Sequence, residues 1–158
     1  MSSVGLTLSL VAVGVGVVPG AVVQASAAPR QVKLATEQVE AELQVRPRVL
    51  DYTGDGTAYL AGRASSPGHL DRGGLNWISW KRRRAFARGV DWIDDCRPDC
   101  ARGNFHPHRA TLRADRPRRG LFTRITVAFD FYGRRLHERR VLRHFPPFEG
   151  APGYFMWG

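Results

Sequence analysis

Residues 109–144 restrict the fold more than any other part of the chain. Leu121, Thr123, Ile125, Val127, Phe129 and Phe131 fall on one parity, with Arg124, Thr126 and Asp130 on the other. Upstream, Ala110, Leu112 and Ala114 alternate with Arg109, Thr111 and Arg113. Downstream, Leu136 and Leu142 share one parity, and Arg135, Arg139 and Arg143 share the other. A period of two sends successive side chains to opposite faces of a strand. Each segment therefore reads as a strand with one buried and one wet face. Asp115 to Gly120 has the length of a hairpin loop, and Tyr132-Gly133 turns the chain again. Arg140 lies on the inward parity, which predicts a bulge or a strand end there.

The preceding residues follow the same grammar. Val39, Ala41, Leu43, Val45 and Val49 share a parity and predict a half-buried strand, with Pro47 confining its second half to an edge or bulge. Thr53 to Gly56 is turn chemistry, and Ala58 to Ala61 is the return strand. Residues 63–74 read as a surface loop rich in Gly and Ser. Leu75 to Trp80 is the next strand. Its Trp77 and Trp80 differ in parity, so both face inward only if the strand is bulged. Lys81 to Arg84 is a basic turn leading to a strand over Ala85 to Trp92. There is no amphipathic pattern of three helical turns and no internal repeat. Six or seven short strands at near-regular spacing predict an all-β fold, a small antiparallel sandwich or barrel. The tail carries Phe145, Phe148, Tyr154, Phe155 and Trp157. So many aromatics predict a tail that packs back across an open sheet edge.

The N-terminus bears on location. Residues 4–18 are apolar or small and uncharged, Pro19-Gly20 breaks the run, and Ala25-Ser26-Ala27 has the small-x-small pattern of a signal-peptidase site. A signal peptide over residues 1–27 is expected, although no Lys or Arg precedes the apolar run. The run is short for a membrane span of about 20 residues. The expected organisation is a signal peptide, a polar leader over 28–38, and a single all-β domain over 39–158. The mature protein would be secreted or held in the cell envelope, free of integral membrane association, and monomeric.

The only cysteines, Cys96 and Cys100, are four residues apart around Pro98. Outside the cytosol two such thiols oxidise. The spacing is not the C-x-x-C of a redox motif, and two cysteines cannot complete a structural zinc site. A structural disulfide is expected. The pattern Leu75-x-Trp77-x-x-Trp80, then Gly89, then Asp95-Cys96-x-Pro98-x-Cys100-Ala101-x-Gly103-x-Phe105, then Phe122-x-Arg124-Ile125-Thr126-Val127, resembles small secreted proteins of actinobacteria. The resemblance spans roughly residues 45–131. It implies secretion and a compact β domain with a disulfide, and it carries over no catalytic residues.

Charge gives the first candidate site. The chain has a net charge of +10, and among its 24 basic side chains only Lys33 and Lys81 are lysines. On the strand parities above, Arg109, Arg113, Arg124, Arg135, Arg139 and Arg143 share the outward face, with Arg116, Arg118 and Arg119 on the adjoining loop. Like charges on neighbouring strands repel. Such a face is either solvated or meets an anion, and Arg pairs bidentately with phosphate and carboxylate. The partner this predicts is an anionic polymer, such as a wall polymer or nucleic acid, or an acidic protein. A bias of codon usage toward Arg explains the same residues.

The other candidates are weaker. His106 and His108, one residue apart on an extended segment, point the same way and suit a shared metal, with His69, His137, His144 or a nearby Asp as third ligand. That pair supports the alternative of a small metal-dependent hydrolase; the plainer reading is two strand-edge histidines. Asp51 and Asp55 in Asp51-Tyr52-Thr53-Gly54-Asp55-Gly56 fit the start of a calcium loop, but position twelve is Gly62 rather than Glu. A hairpin turn accounts for them without metal. Asp91, Asp94, Asp95 and Asp99 offer carboxylates for acid–base work or, more plainly, caps for turn amides. No nucleophile elbow, H-E-x-x-H, P-loop or G-x-G-x-x-G is present. Nothing in the sequence calls for a cofactor, and beyond the His106/His108 pair nothing points to an enzyme. A third possibility is an inhibitor or interaction protein that uses the aromatic tail.

Overall fold

The structure is a computed structural model and describes residues 31–36, 42–147 and 153–158. The apolar N-terminal run and its cleavage motif lie outside the described residues, as do Val39, Ala41 and Phe148. Among the described residues there are ten strands and no helix. They are β1 (Leu34–Ala35), β2 (Leu43–Gln44), β3 (Leu50–Asp51), β4 (Ala58–Ala61), β5 (Asn76–Lys81), β6 (Arg84–Asp94), β7 (Phe105–Arg118), β8 (Leu121–Phe131), β9 (Arg134–Phe145) and β10 (Tyr154–Trp157). Antiparallel pairing runs β10-β9-β8-β7-β6-β4-β3, with β5 also on β6. The sheet curls into a half-barrel of about seven strands, and the expected all-β class holds.

The long alternating segments form its body. Ala114 pairs with Ile125, and Leu112 with Val127; Ala85 pairs with Ala114, and Ala87 with Leu112. All of these are buried. Small alanines on β6 and β7 leave room inside for large side chains from elsewhere, among them Tyr52, Leu60 and Phe122. Alternating small and large residues fill a tapered barrel interior in this way. One hairpin is tighter than the sequence suggests, and the other turns where expected. The loop expected over 115–120 shrinks to Arg119-Gly120, with φ of 49° and 79°, and Tyr132-Gly133 has 45° and 76°. Left-handed geometry at both positions twists a two-residue turn with the strands it joins. Glycine at the second position takes it without strain.

Several expectations are corrected. Phe122, not Thr123, is buried in the first turn of β8. The pleat is interrupted there: Arg116 opposite has φ of 52°, and Thr123 Oγ1 donates to its carbonyl at 2.6 Å. The strand expected over 39–49 is reduced, among the described residues, to Leu43–Gln44, because Arg46 (φ 54°) turns the chain ahead of Pro47. Residues 31–36, read as polar leader, are built into the fold. Leu34 and Ala35 are buried and pair with β2, and Lys33 bridges Leu121. This ribbon closes one end of the half-barrel. Trp80 Nε1 donates to the Val32 carbonyl at 2.9 Å, and Trp157 Nε1 to that of Ala35 at 3.1 Å.

Other expectations are met. The register of β5 shifts between Trp77 and Ser79, which brings the two tryptophans edge to face at 4.5 Å. The tail covers a sheet edge as β10, with Trp157 buried. Gly89 sits where β6 changes neighbour from β5 to β4. A Cβ there would lie 2.2 Å from the Ala61 carbonyl oxygen, so only glycine fits the crossing.

Candidate functional site

The ladder places the six predicted arginines on the outer face. Arg113 lies opposite Thr126, and Thr126 opposite Arg139; Arg124 lies opposite Asp115, and Arg135 opposite Asp130. Strand β6 adds Arg84 and Arg88, opposite Asp115 and Thr111. The six are not equivalent. Asp115 is buried and takes both Arg113, at 2.5 Å, and Arg124, at 2.6 and 2.8 Å. Hydrogen bonds from Arg124, then Arg113, hold its carboxyl below the usual carboxylate range. Those two cations serve the fold. Arg135 pairs with Asp130 at 2.8 Å. Arg84, Arg88, Arg109, Arg139 and Arg143 make no ion pair among the described residues.

Part of this face is concave. A groove of about 370 Å³ is lined by Arg63, Arg88, Arg109 and Arg135, with Asn76 and Thr111 between them. Asp130 is its one carboxylate, and Arg135 already neutralises it. Arg63 comes from the loop after β4, and Arg88 from β6. The sequence singles out neither: Arg63 lies in a loop without periodicity, and Arg88 in a strand whose inner positions are the small Ala85, Ala87 and Gly89. Three unpaired guanidiniums around one groove, with five N–H donors each, have the chemistry to meet an anion.

The inner face carries a second cleft, of about 460 Å³, at the end away from the β1–β2 ribbon. The loop from Tyr52 to Ala58 forms one wall and β9 the other. Arg140, whose inward parity predicted a bulge, does point inward without one: it pairs in register with Ile125 and its guanidinium meets Glu138. Both line the cleft, beside Phe129, Phe131 and Leu136. Tyr52 also lines it, and its hydroxyl donates to Asp91 Oδ2 at 2.8 Å. Asp91 is 0% exposed, and its Oδ1 has no partner among the described residues. Burial pushes the Asp91 carboxyl up to about 7, with Glu138 adding to the rise and the Tyr52 bond opposing it. Burial, then the charge and hydrogen bond of Asp91, push the Tyr52 hydroxyl well above its ordinary value.

The remaining candidates are occupied by local structure. Cys96 and Cys100 are bonded. Asp94 caps the Cys96 amide, Asp95 those of Arg97 and Asn104, and Asp99 those of Ala101 and Arg102. Of the four clustered aspartates only Asp91 stands apart. His106 and His108 do share a side, but His106 meets Asp95 at 3.1 Å and His108 Nδ1 meets the Asp130 carbonyl at 2.9 Å. Bonds from the Asn104 amide and His106 hold the Asp95 carboxyl down, to about 2. Among the described residues no three His, Cys, Asp or Glu side chains are grouped to hold a metal. Asp51 accepts the amides of Thr53 and Gly54, and Asp55 that of Thr57. This is the turn chemistry of a hairpin.

The chain matches no family model, no curated protein and no solved structure. Among the concave sites two stand out chemically, one basic and outside, the other inside and mostly apolar. The outer one was half visible in the sequence as alternating arginines. The inner one was not, because its parts come from β6, β8 and β9, the loop from Tyr52 to Ala58 and the disulfide loop.

Proposed function

We propose that the protein is a secreted or envelope-associated binding module for an anionic polymer, with the outer arginine face as its site. The groove where Arg63, Arg88 and Arg109 converge without ion pairs carries this reading. Arg139 and Arg143 extend the charge onto β9, so a chain of phosphates or carboxylates would find several cations in succession. A bonded disulfide fits an extracytoplasmic setting, as does the resemblance to small secreted actinobacterial proteins. No helix among the described residues is long and apolar enough to cross a membrane.

The test is a titration against duplex DNA and against an anionic polysaccharide across salt concentrations. Engagement of five phosphates gives a log–log salt slope of roughly −4 to −5 on duplex DNA. Reversing Arg88 and Arg109 to Glu removes binding, whereas reversing Arg113 or Arg124 would disturb the Asp115 cluster and confuse the result. Binding that survives the double reversal, or no binding at low salt, refutes the proposal.

A further inference from the structure

We propose that the inner cleft binds a small hydrophobic amine. This goes beyond the polymer-binding reading and does not depend on it, since the two sites lie on opposite faces of the sheet. Three observations converge on it.

The first is the opening itself. The half-barrel's edge strands β3 and β10 do not pair with each other, so the sheet is left open, and on its inner side the loop from Tyr52 to Ala58 faces β9 across the cleft. Its 460 Å³ fall within the range of small-molecule pockets, roughly 300–1,000 Å³.

The second is the apolar lining. Ile93, Phe129, Phe131 and Leu136 line the cleft, and Leu136 is 36% exposed. This is apolar surface that the fold leaves uncovered, enough to take an aromatic or branched aliphatic body.

The third is the sign of the charge. The chain carries +10, yet the cleft is lined by the carboxylates of Asp55, Asp94 and Glu138 against the single guanidinium of Arg140. Asp94 and Asp55 accept backbone amides, which leaves their negative charge in place. Glu138 receives Arg140 on Oε1 alone. Its second oxygen accepts no hydrogen bond among the described residues and is an acceptor for an ammonium group. Beneath the cleft Tyr52 leans on Asp91, whose Oδ1 is buried and unpartnered. A cation brought to the cleft lowers the cost of that buried carboxylate, whereas an anion raises it.

The probe is dansylcadaverine, a primary amine on an apolar fluorophore, compared with its N-acetyl derivative and with dansylglycine, a carboxylate. The amine is expected to bind with a blue-shifted emission. The neutral and anionic analogues should bind roughly tenfold more weakly or worse, the range for loss of a charge-assisted hydrogen bond. Glu138→Gln brings the amine down to the level of the neutral analogue. Leu136→Arg, at an exposed position that tolerates the change, abolishes amine binding and keeps the test valid if the Glu138 variant fails to fold. The Arg88/Arg109 double reversal leaves amine binding unchanged, which separates this proposal from the previous one. Equal binding of amine and neutral analogue, no binding of the amine, or amine binding unaffected by Leu136→Arg overturns it.

Discussion

Replacing Asp91 by Asn should change the pH dependence of stability, and the size of the change follows from the structure. The carboxyl is raised from 3.8 to about 7 by burial. Below its ordinary value it is protonated in both the folded and the unfolded chain, and burial costs nothing extra. Between about pH 4 and 7 the unfolded chain ionises while the folded one keeps its proton, so the native state loses about 1.4 kcal/mol per pH unit from this group. Above about pH 7 the loss is complete, at roughly 4 kcal/mol. Asparagine removes that titration. It still accepts from Tyr52, but it leaves an amide N–H unpartnered at a cost of about 1–2 kcal/mol. The variant should therefore be less stable than the parent near pH 4, equal to it near pH 5, and more stable by about 2–3 kcal/mol above pH 8. Urea unfolding of both proteins across this range measures the difference directly, with the histidines cancelling in the comparison. A difference that does not vary with pH would refute the claim that Asp91 is buried uncompensated. Tyr52→Phe, which removes the one bond that favours the ionised form, should move the midpoint of the same titration upward.

Three other outcomes are expected. Asp115→Asn strips two arginines of their shared partner and should cost about 2–3 kcal/mol in urea unfolding; because the Asp115 carboxyl is held low, its contribution is present above its ordinary value of 3.8 and is lost on acidification below it. Gly89→Ala forces a methyl group against the Ala61 carbonyl oxygen and should lower stability by about 2 kcal/mol or more, seen as a drop in the thermal midpoint. Cys96→Ser with Cys100→Ser removes the constraint on a five-residue loop and should cost about 2 kcal/mol in urea unfolding.

What the sequence made legible was whatever depends on local periodicity. Alternation over 109–115, 124–131 and 134–144 decides which side chains share a face, and the ladder puts the six arginines on the outer side as that alternation requires. The disulfide and the aromatic tail were readable for a similar reason: each needs only near neighbours or composition. Periodicity failed where long-range contacts override it. Phe122 is buried against Trp80, with ring centroids 5.5 Å apart, through the interrupted pleat at Arg116. Val32, Leu34, Ala35 and Thr36 fall in a stretch that reads as a polar leader because no long period marks it, yet they pack because the open end of the half-barrel needs a cover. Ion pairing also lies outside any parity rule. Alternation cannot show that Asp115 takes Arg113 and Arg124 out of use while Arg88 and Arg109 stay free. Nor can it bring Tyr52 to Asp91, 39 residues away.

Strand β9 explains why one end of the half-barrel closes and the other stays open. Its inner face reads Leu136, Glu138, Arg140, Leu142. Leu142 lies opposite Trp157, whose indole reaches the Ala35 carbonyl, so apolar contact and the β1–β2 ribbon seal that end. One turn of the pleat further back, Arg140 and Glu138 project inward, and a charged pair cannot be sealed under apolar side chains without losing more hydration than the pair returns. The facing loop therefore stands off, and the gap persists as the cleft beside Phe129 and Leu136. Charge on an inward parity is the kind of local inconsistency that folds carry at working sites and compensate elsewhere. Here the compensation is visible in the closed end, where Trp80, Phe122 and Trp157 concentrate large aromatic burial around the ribbon. The stability gathered at one end thus permits a solvent-open, charged and partly apolar cleft at the other, and the outer arginine face rests on the same strands without sharing a single side chain with it.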